Sequence, residues 1–181
     1  NETDVGVQPV IDSWIAAQSA TNYKSILSTL FAKYLDKSLE FCRRNFRTII
    51  PLSSVSMAQG ICKILEGIIP KEENAPRPDQ VLMEHHFVFA CIWAIGGAML
   101  VDKVNDFSLE FSKWWQSEFK TVQFPNKDLV FDYFVSETDA EGAAVPTMCH
   151  WRERVPQYLY APENDFGKIF VPTVDTSRLT Y

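Results

Sequence analysis

The sequence predicts a mainly α protein with a smaller β part. Between residues 22 and 120, apolar side chains recur at intervals of three and four, the period of a helix that packs one face on a core. After Pro125 the pattern changes to β-branched and aromatic residues bounded by turn-forming residues, which is typical of strands. We therefore expect a helical bundle, then a β-hairpin, then one further short strand.

The composition is that of a globular chain with an acidic balance. Of 181 residues, 46% are hydrophobic, and 17 Lys and Arg against 23 Asp and Glu give a formal net charge of −6. The negative charge gives no general attraction to phosphate backbones, so we expect no nucleic-acid partner. The uncharged run at residues 87–101 is shorter than the roughly 20 residues of a membrane helix, and the N-terminal residues lack a basic leader. We expect no membrane partner and a cytoplasmic location.

Four helices are expected in the first two thirds of the chain. They are predicted over residues 22–47, 54–69, 81–100 and 105–120. Ser53 or Ser54 can cap the second helix, and Asn105 or Asp106 the fourth. The third is apolar on every side, which predicts the central core element. Three prolines among charged residues predict an exposed loop at 70–78.

The fourth predicted helix carries a series of aromatic residues. They are Phe107, Phe111, Trp114, Trp115 and Phe119. Their spacing is that of a core-facing helix, which is the favoured interpretation. A partner groove or a base-stacking platform is the alternative, and the surplus of aromatic area leaves Trp114 or Trp115 available to touch a neighbouring domain.

The β part is predicted in three pieces. A strand at 129–135 and a return strand at 149–155 form a hairpin across the long linker 136–146. A short strand at 167–173 is stopped by Pro172.

No complete catalytic motif is present in the sequence. The seven glycines form no phosphate-binding loop of the type G-x-x-x-x-G-K-[ST], so we expect the chain itself not to be an enzyme. Residues 98–102 resemble a Walker B strand, but Lys103 follows where a catalytic Glu is expected, and the run continues a predicted helix.

Histidine and cysteine give little support for other chemistry. The clusters at 84–86 and 149–150 place adjacent side chains in different directions, so we expect no metal site. Cys42, Cys62 and Cys91 lie in apolar runs and are interpreted as reduced core residues of an intracellular protein. A Cys149 nucleophile would need a distant His for which the sequence offers no signal.

Several longer strings resemble one family. They are residues 30–34, 87–98 (FVFACIWAIGGA), 111–122 (FSKWWQSEFKTV), 124–125, 130–134, 151, 155–156 and 171–176 (VPTVDT). Strings like these occur in the same order in dynein heavy chains, and they cover most of the sequence from residue 9 onward. The chain is therefore similar to that family, and to its axonemal class more than to its cytoplasmic class.

The resemblance implies a helical AAA+ lid bundle between the second and third modules of a motor ring. Residues 1–20 would be a connector from the preceding large domain, with 9–14 as its core. Residues 21–122 would be the lid, 123–160 a β-hairpin extension, and 161–181 the start of the next module, including its first strand.

The function implied by the resemblance is mechanical. The chain would be a non-catalytic lid and connector that couples the nucleotide states of neighbouring AAA+ modules through rigid-body movement. ATP or ADP with Mg would be bound by the parent ring, an ATP-hydrolysing microtubule motor, and no cofactor by this chain alone. The implied partners are the neighbouring modules, the microtubule and other dynein chains, in the cytoskeleton of a ciliary or flagellar axoneme.

Two nucleotide-facing positions follow from the resemblance. Gly97 stands where AAA+ lids often place a sensor-two Arg, so the lid would offer no cation to a γ-phosphate. An alternative is that Gly96 and Gly97 only let two helices approach closely. Val171, Pro172 and Thr173 resemble the segment that lies against the adenine of the third module.

Two further interpretations stay open. Arg43, Arg44 and Arg47 either face a neighbouring module or lie in solvent, where they complement a helix C-terminus. A stand-alone helical interaction module that binds a partner through Trp114 and Trp115 is the alternative to the lid. A thiol or metal enzyme is a third and weaker interpretation.

Overall fold

A computed structural model describes residues 6–18, 21–69, 78–138, 142–143, 145–158 and 171–179. The described part forms α-helices and a two-stranded sheet, so the expectation of a mainly α protein with a smaller β part is confirmed. Among the described helices, none has the length and apolar content to cross a membrane. The predicted loop at 70–78 lies, apart from its last residue, outside the described residues.

The first helix, α1 (Val7–Ala16), lies in the segment that was expected to be a short connector. Ile11 and Ile15 are buried one helical turn apart. Trp14 donates a hydrogen bond from Nε1 to Glu66 Oε1 at 2.7 Å. This helix therefore packs as part of the bundle.

Helices α2 (Thr21–Asn45) and α3 (Ser54–Ile68) confirm the first two predicted helices. The last turn of α2 is closed by Asn45 Nδ2, which donates to the carbonyl of Phe41 at 2.8 Å. Of the two candidate caps for α3, Ser53 is the one used, and its Oγ accepts from Ser56 N at 3.0 Å. This bond satisfies one of the amides that the first turn leaves without a helical partner.

The central helix, α4 (Gln80–Cys91), continues into a π-helix (Ile92–Gly96). Asp79 caps its start, where Oδ1 accepts from Leu82 N at 2.8 Å. The prediction of a helix up to residue 100 is wrong at its end. The chain turns at Gly97, and Met99 pairs with Thr48 in an isolated antiparallel bridge.

Helix α5 (Phe107–Glu118) is capped by Asp106, whose Oδ1 accepts from Leu109 N at 2.9 Å. The core interpretation of its aromatic series is confirmed for the buried members Phe111, Trp115 and Phe119. Trp114 is half-buried and stacks on Phe41 at a ring distance of 4.3 Å. Because Trp115 has no exposed surface, it cannot contact a partner.

The hairpin is shorter than predicted. Strand β1 (Tyr133–Ser136) pairs with β2 (Thr147–His150) in antiparallel register, with Tyr133 opposite His150. The first residues of the predicted strand form a 3₁₀ turn (Val130–Asp132), and β2 gives way to another (Trp151–Arg154). In the first turn, Asp132 Oδ2 accepts from Leu129 N at 3.0 Å and so favours the turn over a strand.

The last described element is helix α6 (Val174–Leu179). The strand expected at 167–173 has its first four residues outside the described part of the chain. Its last three residues carry no strand and lead directly into α6, so that end of the prediction is wrong.

One hydrophobic core connects α1 to the hairpin. At its centre Tyr34 of α2 is fully buried and donates its hydroxyl to Glu84 Oε1 of α4 at 2.6 Å. Lys33 reaches the same oxygen at 2.6 Å. Burial, and secondly the bond to Glu84, raise the pKa of Tyr34 well above its ordinary value, so its proton stays in place to hold the carboxylate.

Candidate functional site

The turn at Gly97 is the first position with a predicted role. Its backbone φ of −64° is open to any residue, so backbone conformation does not require glycine. Space does, because a Cβ atom at this position would lie 2.5 Å from the carbonyl oxygen of Trp93. A side chain here, including the Arg expected of a sensor-two position, would need a shift of the backbone itself.

Gly96, by contrast, is buried. A Cβ atom would lie 2.6 Å from Phe111 Cε1 and 2.8 Å from Phe131 Cζ. Glycine therefore lets α5 and the first 3₁₀ turn, Val130–Asp132, approach the end of the π-helix. This is the close approach that the alternative interpretation of the glycine pair predicts.

The segment after Gly97 is held by backbone bonds to the residues that follow α2. Ile49 N donates to the carbonyl of Ala98 at 2.9 Å, and Leu100 N donates to that of Arg47 at 2.8 Å. Asp102 accepts from the amides of Val104 and Asn105, and these donors lower the pKa of its carboxyl. Its role is to close a loop, so the resemblance of residues 98–102 to a Walker B strand is not matched by a strand in a sheet.

Val171, Pro172 and Thr173 form the entry to α6. Val171 is 52% exposed. Thr173 Oγ1 accepts from Thr176 N at 3.2 Å, while Thr173 N donates to Thr176 Oγ1 at 2.8 Å, so the two residues cap the helix reciprocally. Among the described residues, no hydrogen bond joins this segment to Gly97. The nucleotide-facing roles of both remain predictions.

Helix α6 is fixed to the 3₁₀ turn that precedes β1 by an ion pair that sequence reasoning missed. Arg178 Nη2 donates to Asp132 Oδ1 at 2.9 Å, and Nη1 reaches Asp175 Oδ1 at 3.3 Å. The side chains of Arg178 and Asp132 are about a quarter exposed, at 25% and 27%. A pair separated by 46 residues has no local sequence signal.

A cleft of about 440 Å³ lies beside this ion pair. Its apolar lining is contributed by Ile64, Ile68, Phe89, Trp93 and Trp151. Lys63, Gly67 and Arg178 complete the wall, so α3, the end of α4 with the π-helix, the second 3₁₀ turn and α6 all meet here. Helix α6 thus meets the helical bundle and the second 3₁₀ turn at this cleft, through Arg178.

The histidine candidates are structural. His86 is buried, and burial followed by the neighbouring His85 lowers its pKa to about 4, so it is neutral near pH 7. Glu84 is engaged by Lys33 and Tyr34. In His150, Nδ1 accepts from Arg152 N at 3.0 Å. Throughout the described ranges, no group of three metal-ligating side chains could hold an ion.

The cysteines are free thiols, as predicted. Burial raises the pKa of Cys42 to about 12 and that of Cys62 to about 11, and it raises that of Cys91 well above the ordinary range. Because the thiolate is the reactive form, these three residues are unreactive core residues.

The arginines at the end of α2 have local contacts. Arg43 donates to Ser54 Oγ at 2.7 Å, and Arg44 pairs with Glu40 at 2.8 Å. Arg43 and Arg47 also line a cleft of about 370 Å³ between α2 and α3. Exposure with local pairing is the interpretation that this geometry favours for Arg43 and Arg44.

Comparison with known proteins gives consistent results. The family described as "Dynein heavy chain AAA lid domain" matches residues 27–151, which include most of α2, all of α3, α4 and α5, and the hairpin. The whole chain is 55% identical to the dynein beta chain of the flagellar outer arm of Chlamydomonas reinhardtii. It is 39% identical to human dynein axonemal heavy chain 9 and 38% identical to a ciliary dynein beta chain of Tripneustes gratilla, again over its whole length. The chain spans about 4% of the length of each of these relatives.

Proposed function

Because this chain belongs to the dynein heavy chain family, in its AAA lid region, we propose that it is the lid and connector between the second and third AAA+ modules of a dynein motor ring. In this role it couples the nucleotide states of the neighbouring modules during ATP-driven movement along microtubules. The flagellar, ciliary and axonemal names of the relatives support an axonemal dynein, working with other dynein chains in a cilium or flagellum.

The observation that carries the mechanical role is the continuity of the core. One set of buried side chains extends from α1 through helices α2 to α5 to the hairpin, and α6 is tied to that body by Arg178 and Asp132. Close-packed interiors move as units, so a displacement at one end is transmitted to the other. This arrangement suits a part that links two moving modules.

The nucleotide itself is bound, in this proposal, by parts of the parent ring outside this chain. The absence of a phosphate-binding loop from the 181-residue sequence supports that assignment. Gly97 would leave the γ-phosphate without a cation from the lid, and Val171, Pro172 and Thr173 would provide an apolar wall for the adenine of the next site. ATP or ADP with Mg is then a ligand of the ring.

Thermal unfolding of the 181-residue chain with and without saturating Mg-ATP tests the non-catalytic part of the proposal. A ligand at about 100 times its Kd stabilises a protein by about 2.7 kcal/mol, which for a chain of this size raises Tm by about 5–11 °C. We expect no shift. A shift of that size would show a nucleotide site within this chain and would overturn the assignment.

The mechanical part is tested in the dynein motor chain that contains this sequence. Trp14→Phe keeps an aromatic ring in α1 but removes the donor to Glu66, which loosens the joint between α1 and α3. We expect slower microtubule gliding with unchanged Mg-ATP binding. Lys63→Gln is the matched control, because it removes the exposed partner of the same carboxylate, 2.8 Å away, and leaves the joint intact. Equal gliding velocities for the two variants would contradict the proposal.

A further inference from the structure

Both oxygens of the Asp132 carboxylate are engaged, and they face different parts of the molecule. Oδ2 accepts from Leu129 N at 3.0 Å within the 3₁₀ turn, whereas Oδ1 accepts from Arg178 of α6 at 2.9 Å. A charge-assisted bond to a carboxylate that is already held at its other oxygen is more directional than one to a free side chain. Asp132 therefore joins the orientation of α6 to that of the 3₁₀ turn.

The preceding residue in the same turn, Phe131, points into the helical bundle. Its ring lies 5.5 Å from the ring of Trp93 and 5.7 Å from that of Phe111, and it is 8% exposed. It also contacts the surface that Gly96 leaves open, because a Cβ atom on that glycine would lie 2.8 Å from its Cζ. Phe131 is thus wedged against the end of the π-helix.

We propose that Phe131 and Asp132 act together as a positioning pair, which transmits a displacement of the Gly96–Gly97 turn to Arg178 and hence to α6. This inference rests on the proposed function and names the route of the coupling. Phe131 moves with the π-helix because its ring is enclosed by Trp93 and Phe111. Asp132 moves with Phe131 because they share one short turn. Helix α6 moves with Asp132 because Arg178 is bonded to it.

The experiment measures millisecond hydrogen–deuterium exchange in the peptide that covers α6, within the intact dynein motor chain. Arg178→Gln removes the ion pair and is expected to raise exchange in α6 about threefold, as for loss of a partly exposed pair. Phe131→Leu shortens the wedge and is expected to raise exchange in α6 as well. In the Arg178→Gln background, Phe131→Leu should add little, because the connection is already broken.

Two further variants test whether a change in exchange arises from the ion pair and from Phe131. Asp132→Asn keeps an acceptor for Leu129 N but loses the charge, so it should reproduce the effect of Arg178→Gln without disturbing the core. Phe124→Leu is the matched control, since its half-buried ring packs on Tyr133 at 5.4 Å, away from the wedge, and exchange in α6 should stay unchanged.

Unchanged exchange in α6 for Phe131→Leu or Arg178→Gln would overturn the proposal, and so would fully additive effects in the double variant. The outcome is separable from that of the gliding assay. If exchange in α6 responds to the variants as expected but the Trp14→Phe variant glides normally, only the proposed function is contradicted. If the Trp14→Phe variant glides slowly but exchange in α6 does not respond as expected, only the positioning pair is contradicted.

Discussion

Replacing Gly96 with alanine is expected to destabilise the folded chain. The added methyl group would lie 2.6 Å from Phe111 and 2.8 Å from Phe131, which is closer than real Cβ atoms approach other heavy atoms. The two rings stack on each other with centroids 5.7 Å apart, and both are buried. Neither ring can retreat without disturbing its neighbour, so the methyl group must displace both.

The magnitude follows from two opposing effects. Inserting an extra carbon into a well-packed core costs about 1–3 kcal/mol. Restricting the unfolded backbone by replacing glycine offsets up to about 1 kcal/mol. We therefore expect the free energy of unfolding to fall by about 1–2 kcal/mol for Gly96→Ala, which lowers Tm by about 2–8 °C in a chain of this length.

Urea unfolding followed by tryptophan fluorescence measures this change. Gly67→Ala is the matched control, because Gly67 lies in α3 with nothing within 4 Å of the added carbon. There the same substitution should leave stability unchanged or raise it by up to about 1 kcal/mol. If Gly96→Ala proved as stable as Gly67→Ala, the steric reasoning would be refuted.

Two further changes have defined outcomes. Ser53→Ala removes the acceptor of Ser56 N and should lower the free energy of unfolding by about 1 kcal/mol, measured by urea titration; no loss would show that the cap is dispensable. Since burial, and then His85, lower the pKa of His86 to about 4, the unfolded chain takes up its proton first as pH falls. The free energy of unfolding should fall by up to about 3 kcal/mol between about pH 6.5 and 4, and His86→Gln should make its dependence on pH weaker. Equal pH dependence of the two proteins would contradict this reasoning.

The long helices were predictable because local and tertiary signals coincide in them. In α3 and α5, an apolar face at helical spacing follows a side chain that caps the first turn, namely Ser53 and Asp106. No helix was predicted in the region of α1. Its buried face consists mainly of Ile11 and Ile15, one turn apart, a repeat too short to indicate a helix from sequence, and the helix packs on α3 and α2.

The candidate site was less predictable, because its geometry depends on contacts between distant segments. The sequence drew attention to Gly96 and Gly97, but only the structure shows that one lies against aromatic rings and the other against the Trp93 carbonyl. Asp132 and Arg178 are two of many charged residues in the chain. Nothing in their local sequence selects them, so such a partner choice emerges only from the fold.

The π-helix makes this region sensitive to length as well as to residue type. Its wider turn accommodates about one residue more than an α-helix of the same rise. Because the π-helix already holds this extra residue, one further residue inserted between Ile92 and Gly96 and continuing the helix would rotate everything after it by about 100°. Gly96 would then turn away from Phe111 and Phe131. Relatives that preserve this joint are therefore expected to tolerate conservative substitutions in the π-helix more readily than further insertions.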